Sequence, residues 1–274
     1  MKLFLRFADL FLCTSLFTAC CATGLCMATE RFINNTLPAL ISPLHLAVFG
    51  GTLMVYNAPR LFFRKITTTQ PYRSWFQLFF IAGTLLVIGS VFWLPSGIIW
   101  FCLALAILTF SYSLPVLPFK NKKRLREYGW LKILVLAGVW TIATALLPMM
   151  YWNKFFTNYP FELLNRFVFI FALCIVFDIR DIRADMHNNI NTLPLRLGLK
   201  NSYLTISIAL LFFAALNMAQ YLRHPAPERL IAAWITAVIT WLVVVYLRKK
   251  PSEIGYMGLA DGMMLLYASI ILIY

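Results

Sequence analysis

Long apolar runs, separated by short polar connections, occupy almost the whole chain of 274 residues. A transmembrane helix needs about 20 mainly apolar residues to cross the hydrocarbon core of a bilayer. Nine runs of roughly that length occur, at residues 9–29, 38–57, 75–94, 96–114, 131–151, 163–181, 201–220, 229–247 and 255–274. The pattern predicts an all-α, polytopic membrane protein with about nine transmembrane helices in one domain, residues 1–274.

The composition separates this chain from soluble proteins. Hydrophobic residues make up 61% of it and charged residues 12%, whereas soluble domains are about half apolar and a quarter charged. A formal charge of +14 would favour nucleic acid as the partner of a soluble protein, but here the basic residues lie in the connections. The expected partners are therefore membrane lipid and an anionic substrate, and not nucleic acid.

The distribution of Lys and Arg predicts the orientation in the membrane. With the N-terminus placed inside and the nine helices alternating in direction, the inner segments contain 19 of the 24 basic residues. Basic residues are enriched in cytoplasmic connections. We expect an integral protein of the bacterial cytoplasmic (inner) membrane, with its N-terminus in the cytoplasm and its C-terminus outside.

The cysteines give no sign of a metal site in the sequence. All six cysteines fall within apolar runs, and none forms a CxxC pair. Cysteine in such runs is typical of a small buried hydrophobic residue, so no disulfide framework or zinc site is expected. His45 is expected to be a helix residue with satisfied hydrogen bonds.

The most unusual polar stretch follows one apolar run directly and carries three of the ten acidic residues, Asp178, Asp181 and Asp185. At about 100° per residue these carboxylates share one helix face within roughly 60°, whereas Arg180 and Arg183 point to the other side. Clustered carboxylates repel one another in a low dielectric, and a bound Mg²⁺ would relieve that repulsion. The spacing alone equally allows a solvated helix end with local charge pairs.

Basic residues crowd the connections predicted on the same side of the membrane. Cationic side chains commonly bind diphosphate groups, often together with a metal ion. Topology alone also places Lys and Arg there, so both explanations stay open. The candidate diphosphate contacts are Arg60, Arg64, Lys65, Lys120 and Lys122.

Asp261 is the one acidic residue inside the last apolar run. Ionisable residues within a membrane are functional candidates because they are costly to place there. The alternative is that Asp261 pairs with a polar group on a neighbouring helix.

The acidic stretch also carries a resemblance to a known family. Asp178-x-x-Asp181-x-x-x-Asp185, followed by Thr192-Leu-Pro-Leu-Arg-Leu-Gly198, resembles the second aspartate-rich motif of UbiA-type membrane prenyltransferases. Tyr112-Ser-Leu-Pro115 resembles the connection after the fourth helix of that family, and residues 132–148, with Trp140, resemble its fifth helix. The nine helices and the inward N-terminus agree, so the resemblance covers essentially the whole chain.

The resemblance implies a prenyltransferase that moves an isoprenoid chain from a prenyl diphosphate to a lipophilic, often aromatic, acceptor. It implies a central cavity in which two aspartate motifs face each other and hold Mg²⁺ on the diphosphate. Asp178, Asp181 and Asp185 would bind the metal and act in catalysis, with Asn57 opposite and Tyr112 among the substrate contacts. No oligomeric state is implied.

The first family motif, on the second helix, is changed in this sequence. The family pattern is N-D-x-x-D-x-x-x-D, but only Asn57 remains, and the aspartate positions are Ala58, Leu61 and Lys65. Two hypotheses follow. Either the added cations bind the diphosphate beside a single Mg²⁺ on the second motif, or catalysis has been lost and the cavity binds an isoprenoid or quinone-like lipid.

Overall fold

The computed structural model describes residues 10–62, 72–113, 129–154 and 156–273. Nine long helical segments follow one another in these residues, and no strand occurs among them. The segments are α1 Leu16–Asn34, α2 Pro43–Phe62, α3 Arg73–Val91, α4 Ser96–Ser113, α5 Leu131–Tyr151, α6 Pro160–His187, α7 Leu193–Arg223, α8 Pro227–Lys249 and α9 Glu253–Ile273.

The helices confirm the all-α membrane architecture. Each predicted apolar run overlaps one helix, and seven of the described helices are long and apolar enough to cross a membrane. The other two are α2 and α4, and the apolar stretch of α4, Ser96–Tyr112, is shorter. The predicted run 163–181 is part of the longer α6, which therefore carries the whole acidic stretch in its last turns.

Helix α6 lies at the centre of the bundle, packed between α5 and α7, while α1 packs against α9 and α2. Its buried face includes Phe169, which stacks on Phe213 of α7 at a ring-centroid distance of 4.8 Å. Helices α3 and α4 lie at the periphery and expose large apolar side chains such as Leu85 and Ile107. This exposure fits contact with lipid, because the bilayer interior is as apolar as these side chains.

Helices α2 and α3 cross closely at two glycines. A Cβ added to Gly50 would lie 2.7 Å from the carbonyl oxygen of Gly83, and one added to Gly83 would lie 2.6 Å from that of Gly50. Small residues allow membrane helices to approach at this distance. The neighbouring Gly51 instead faces open space, because nothing lies within 4 Å of its Cβ position.

The start of α1 is irregular. Ser15 has a left-handed backbone, with φ of 62°, and separates a helical turn at residues 10–13 from the rest of the helix. The break frees backbone carbonyls that water cannot satisfy inside a membrane. The side chain of Asn57 donates to the Thr14 carbonyl at 3.0 Å, and that of Arg60 donates to the Cys13 carbonyl.

The middle of α5 contains a π-helical segment, Ile142–Leu146, which ends two residues before Pro148. Proline has no N–H, so the carbonyl of Thr144 has no donor four residues further on. The hydroxyl of Thr29 on α1 donates to this carbonyl instead, at 2.8 Å. The wider helical turn is therefore stabilised by a contact between α5 and α1.

Candidate active site in a membrane cavity

A cavity of about 550 Å³ lies between α1, α2, α5, α6 and α9, with a further wall from α4. Along α2 its wall extends from Ala47 to Arg60, which corresponds to about 20 Å at a helical rise of roughly 1.5 Å per residue. Ionisable side chains gather where α6 ends, and we call this region the charged end. It contains Arg60, Lys132, Asp178, Arg180, Asp181 and Asp185.

Lys132 joins two of the three aspartates at the charged end. Its Nζ lies 2.8 Å from Asp178 Oδ1 and 3.1 Å from Asp185 Oδ2. The two aspartate side chains are only 3% and 9% exposed, and that of Lys132 is 15% exposed. The ammonium therefore offsets the repulsion between two carboxylates in a largely water-free environment.

Asp181 makes a different pair. Its carboxylate accepts two hydrogen bonds from Arg180, at 2.7 Å from Nε and 3.0 Å from Nη2, and both residues line the cavity. The expectation that Arg180 points away from the aspartates is wrong. Its long side chain extends to the adjacent carboxylate, with the guanidinium 5.0 Å from the ring centre of Phe177, whereas the helical angle describes only the Cα–Cβ direction.

Asn57 and Arg60 occupy different positions relative to the cavity. Asn57 is fully buried and donates to the carbonyls of Thr14 and Leu53, and it is not among the residues that line the cavity. Arg60 does line the cavity, with its guanidinium 5.2 Å from the ring centre of Phe76. The structure thus brings Arg60, but not Asn57, to the same cavity as Asp178 and Asp181.

The remaining predicted substrate contacts divide into two groups. Tyr112, at the end of α4, lines the cavity. The other four, Arg64, Lys65, Lys120 and Lys122, lie outside the residues that the structure describes.

Beyond the charged end, the wall of the cavity is mostly apolar. Val48, Met54 and Leu136 are examples, and Trp140 and Tyr56 add aromatic rings. The indole Nε1 of Trp140 donates to the Tyr56 hydroxyl at 3.2 Å. This bond satisfies two polar groups that would otherwise be costly in an apolar chamber.

Asp261 pairs with a neighbouring helix, as one of the two alternatives held, and it also lies on the cavity wall. Its Oδ2 accepts a hydrogen bond from Thr18 Oγ1 at 3.3 Å, which links α9 to α1, and both residues line the cavity. It follows a second π-helical segment, Tyr256–Ala260, and such segments frequently occur at functional sites.

Lys132 is the site residue that sequence reasoning missed, because it was counted only as a topology signal. A usable indication was present in the helix order. Helices α5 and α6 are antiparallel neighbours joined by a short connection, so the start of α5 and the end of α6 must lie at the same end of the bundle. The sequence therefore indicated that Lys132, at the start of α5, lies close to the aspartates at the end of α6.

The donor set at the charged end fits a divalent cation such as Mg²⁺. The three aspartates offer hard oxygen ligands. Asp178 Oδ2 is buried and has no hydrogen-bond partner among the described residues. A buried carboxylate oxygen of this kind normally requires a partner, and a metal ion bound there would supply one.

The architecture is that of the UbiA-type membrane prenyltransferases, as the resemblance implied, and the protein is an integral membrane protein. One solved structure with this fold, reported for digeranylgeranylglyceryl phosphate synthase in membranes, has a TM-score of 0.58 at 14% identity, over 98% of this chain and 99% of that chain. A ligand-free UbiA homologue from Aeropyrum pernix K1 has a TM-score of 0.60 at 14% identity, over 94% and 95%. No family model and no curated protein sequence matches this chain.

Proposed function

We propose that the protein is an intramembrane prenyltransferase, which transfers an isoprenoid chain from a prenyl diphosphate to a lipophilic acceptor. The observation that carries the proposal is the composition of the cavity. One chamber joins a charged end to a long apolar wall with aromatic rings. A prenyl diphosphate has the same two parts, an anionic head and an apolar tail.

The cations of the charged end have a clear role in this reaction. The bond between the first carbon of the prenyl chain and the diphosphate oxygen breaks, and the diphosphate leaves with the electron pair. Lys132, Arg60 and Arg180 stabilise the charge that develops on the leaving oxygen. Mg²⁺ held by Asp178, Asp181 and Asp185 would neutralise the same group further. Arg64, Lys65, Lys120 and Lys122 remain proposed contacts.

The apolar part of the cavity serves the other half of the substrate. It binds the chain and excludes water, which would otherwise capture the allylic cation. The rings of Trp140 and Tyr56 can stabilise positive charge through their π faces. The acceptor then forms the new bond to the prenyl carbon and releases a proton.

The test uses purified protein in nanodiscs with Mg²⁺, a series of prenyl diphosphates and lipophilic acceptors, and measures prenylated product and diphosphate. We expect both from the wild type and a loss of at least about 100-fold in Asp178→Asn, because removing one stabilising group from such a site commonly has that effect. The matched control is Arg183→Gln, an exposed residue of the same helix. Absence of both products from folded protein that binds the donor would contradict the proposal.

A second candidate function is the binding of an isoprenoid or quinone-like lipid without catalysis. Lys132 favours it, because its ammonium compensates Asp178 and Asp185 without any metal. This function predicts donor or lipid binding that is unchanged after chelation of Mg²⁺ and in Asp181→Ala. The enzyme predicts weaker binding of the diphosphate in both cases.

A further inference from the structure

Three metal-ligand side chains lie together outside the charged end. Cys26 and Glu30 are one turn apart on α1, and His45 belongs to the first turn of α2. One donor atom of each residue lies within 4.8 Å of the other two. All three residues are buried, with exposures of 0%, 1% and 3%.

The polar atoms of this cluster are close together but unsatisfied. His45 Nε2 lies 3.2 Å from Glu30 Oε1, yet neither atom makes a hydrogen bond of acceptable angle, and His45 Nδ1 has no partner among the described residues either. Buried polar groups are nearly always hydrogen-bonded, and an unpaired one is costly. The expectation of a satisfied His45 is therefore wrong.

No arginine in the described part of the chain forms an ion pair with Glu30. Arg166 and Arg229, at the same end of the bundle, both form ion pairs with Glu162. Among the described residues, His45 is the one cation-forming side chain in ion-pair contact with Glu30. The cluster thus contains a thiol, a carboxylate whose one ion-pair contact among these residues is an imidazole, and that imidazole ring, whose nitrogens make no hydrogen bond to any of them.

We propose that Cys26, Glu30 and His45 bind a divalent metal ion of the Zn²⁺ class. Sulfur, nitrogen and oxygen donors together suit Zn²⁺, whereas Mg²⁺ takes oxygen donors. Tetrahedral bonds of about 2.0–2.3 Å from the metal place the ligand atoms roughly 3.3–3.6 Å apart. The observed distance of 3.2 Å between His45 Nε2 and Glu30 Oε1 is close to this range. Binding displaces the thiol proton of Cys26 to solvent, and the resulting thiolate and carboxylate neutralise the two charges of the ion.

The site would link α1 to α2 at the end of the cavity opposite the charged end. Ala22, one turn before Cys26, and Val48, three residues after His45, both line the cavity. The metal would fix the distance between these two walls. The sequence showed no such site because its ligands come from two helices and have no motif spacing.

The experiment titrates purified, chelator-treated protein in nanodiscs with Co²⁺ and with Zn²⁺, without any prenyl substrate, so its result is independent of the proposed reaction. We expect one thiolate-bound ion per chain, seen as a thiolate-to-Co²⁺ absorption band, and a higher unfolding temperature with Zn²⁺. Cys26→Ala removes the band, and Glu30→Gln and His45→Gln each weaken binding at least tenfold. Cys20→Ala, which changes a partly buried cysteine of the same helix, retains wild-type binding.

Two results would overturn the proposal. One is the absence of a stoichiometric thiolate-to-Co²⁺ band in folded wild-type protein. The other is a thiolate-to-Co²⁺ band that survives Cys26→Ala, which would identify adventitious binding only. If a variant of Glu30 or His45 fails to fold, the wild-type spectrum and its comparison with Cys26→Ala still decide the question.

Discussion

Replacing Lys132 with methionine removes the ammonium that lies between Asp178 and Asp185 and keeps most of the side-chain volume. Both carboxylates then remain in a region where their side chains are at most 9% exposed. Removing one partner of a buried ion pair costs about 3–5 kcal/mol, because the other charge is left uncompensated. The 15% exposure of Lys132 allows some hydration, so the lower limit, about 3 kcal/mol, is the expected loss.

The unfolding temperature measures this loss. At roughly 2 °C per kcal/mol for a chain of this size, Lys132→Met should unfold about 6 °C below the wild type in the same detergent. The matched control is Lys200→Met, an exposed lysine of α7, for which a change within about 0.5 kcal/mol is expected.

Added Mg²⁺ extends the same experiment. With the ammonium gone, the carboxylates should bind the metal more readily, and Mg²⁺ at 100 times its dissociation constant restores about 2.7 kcal/mol. The variant should therefore be stabilised by Mg²⁺ more than the wild type is. Equal unfolding temperatures for Lys132→Met and Lys200→Met would refute the role of Lys132, and the absence of Mg²⁺ stabilisation in Lys132→Met would refute the cation site.

Three further predictions concern the cavity and its walls. Gly51→Phe should shorten the longest prenyl chain that binds, measured with diphosphates of increasing length, because Gly51 lines the cavity and has open space at its Cβ. The control is Gly89→Phe, which has equal space on the exposed side of α3 and should leave the longest bound prenyl chain unchanged. If Gly89→Phe shortened that chain as much as Gly51→Phe does, the assignment of the cavity to the prenyl chain would be contradicted. Gly50→Ala should lower the unfolding temperature, since its Cβ meets a backbone carbonyl, whereas Gly89→Ala should not. Asn57→Ala should cost about 1–3 kcal/mol in unfolding free energy by leaving the Thr14 carbonyl unsatisfied, and an unchanged stability would show that this hydrogen bond is not needed.

The helices were predictable from the sequence because each has to be apolar over the thickness of a bilayer. The acidic stretch was predictable as a unit, since Asp178, Asp181 and Asp185 lie on one helix. Local irregularities were not. The break at Ser15 depends on partners from α2, and the π-helical segment of α5 depends on a proline together with Thr29 of another helix.

Pairings between helices were the least predictable part of the site. Lys132 and Asp178 are 46 residues apart, and the contact follows only from the packing of α5 on α6. The family motif assigned Asn57 to the site, but in this chain its amide is bound to the irregular start of α1. Cys26, Glu30 and His45 also come from two helices, so their spacing in the sequence matches no known metal-binding motif.

Release of diphosphate from a prenyl diphosphate tests the central claim most directly, because it reports the breaking of the bond at which the charged end is proposed to act. It is measured in nanodiscs with Mg²⁺ and an acceptor, for the wild type, Asp178→Asn and Arg183→Gln. The proposed function predicts release by the wild type and Arg183→Gln, and a rate at least about 100-fold lower in Asp178→Asn. Equal rates in all three proteins, or no release from wild-type protein with bound donor, would contradict it.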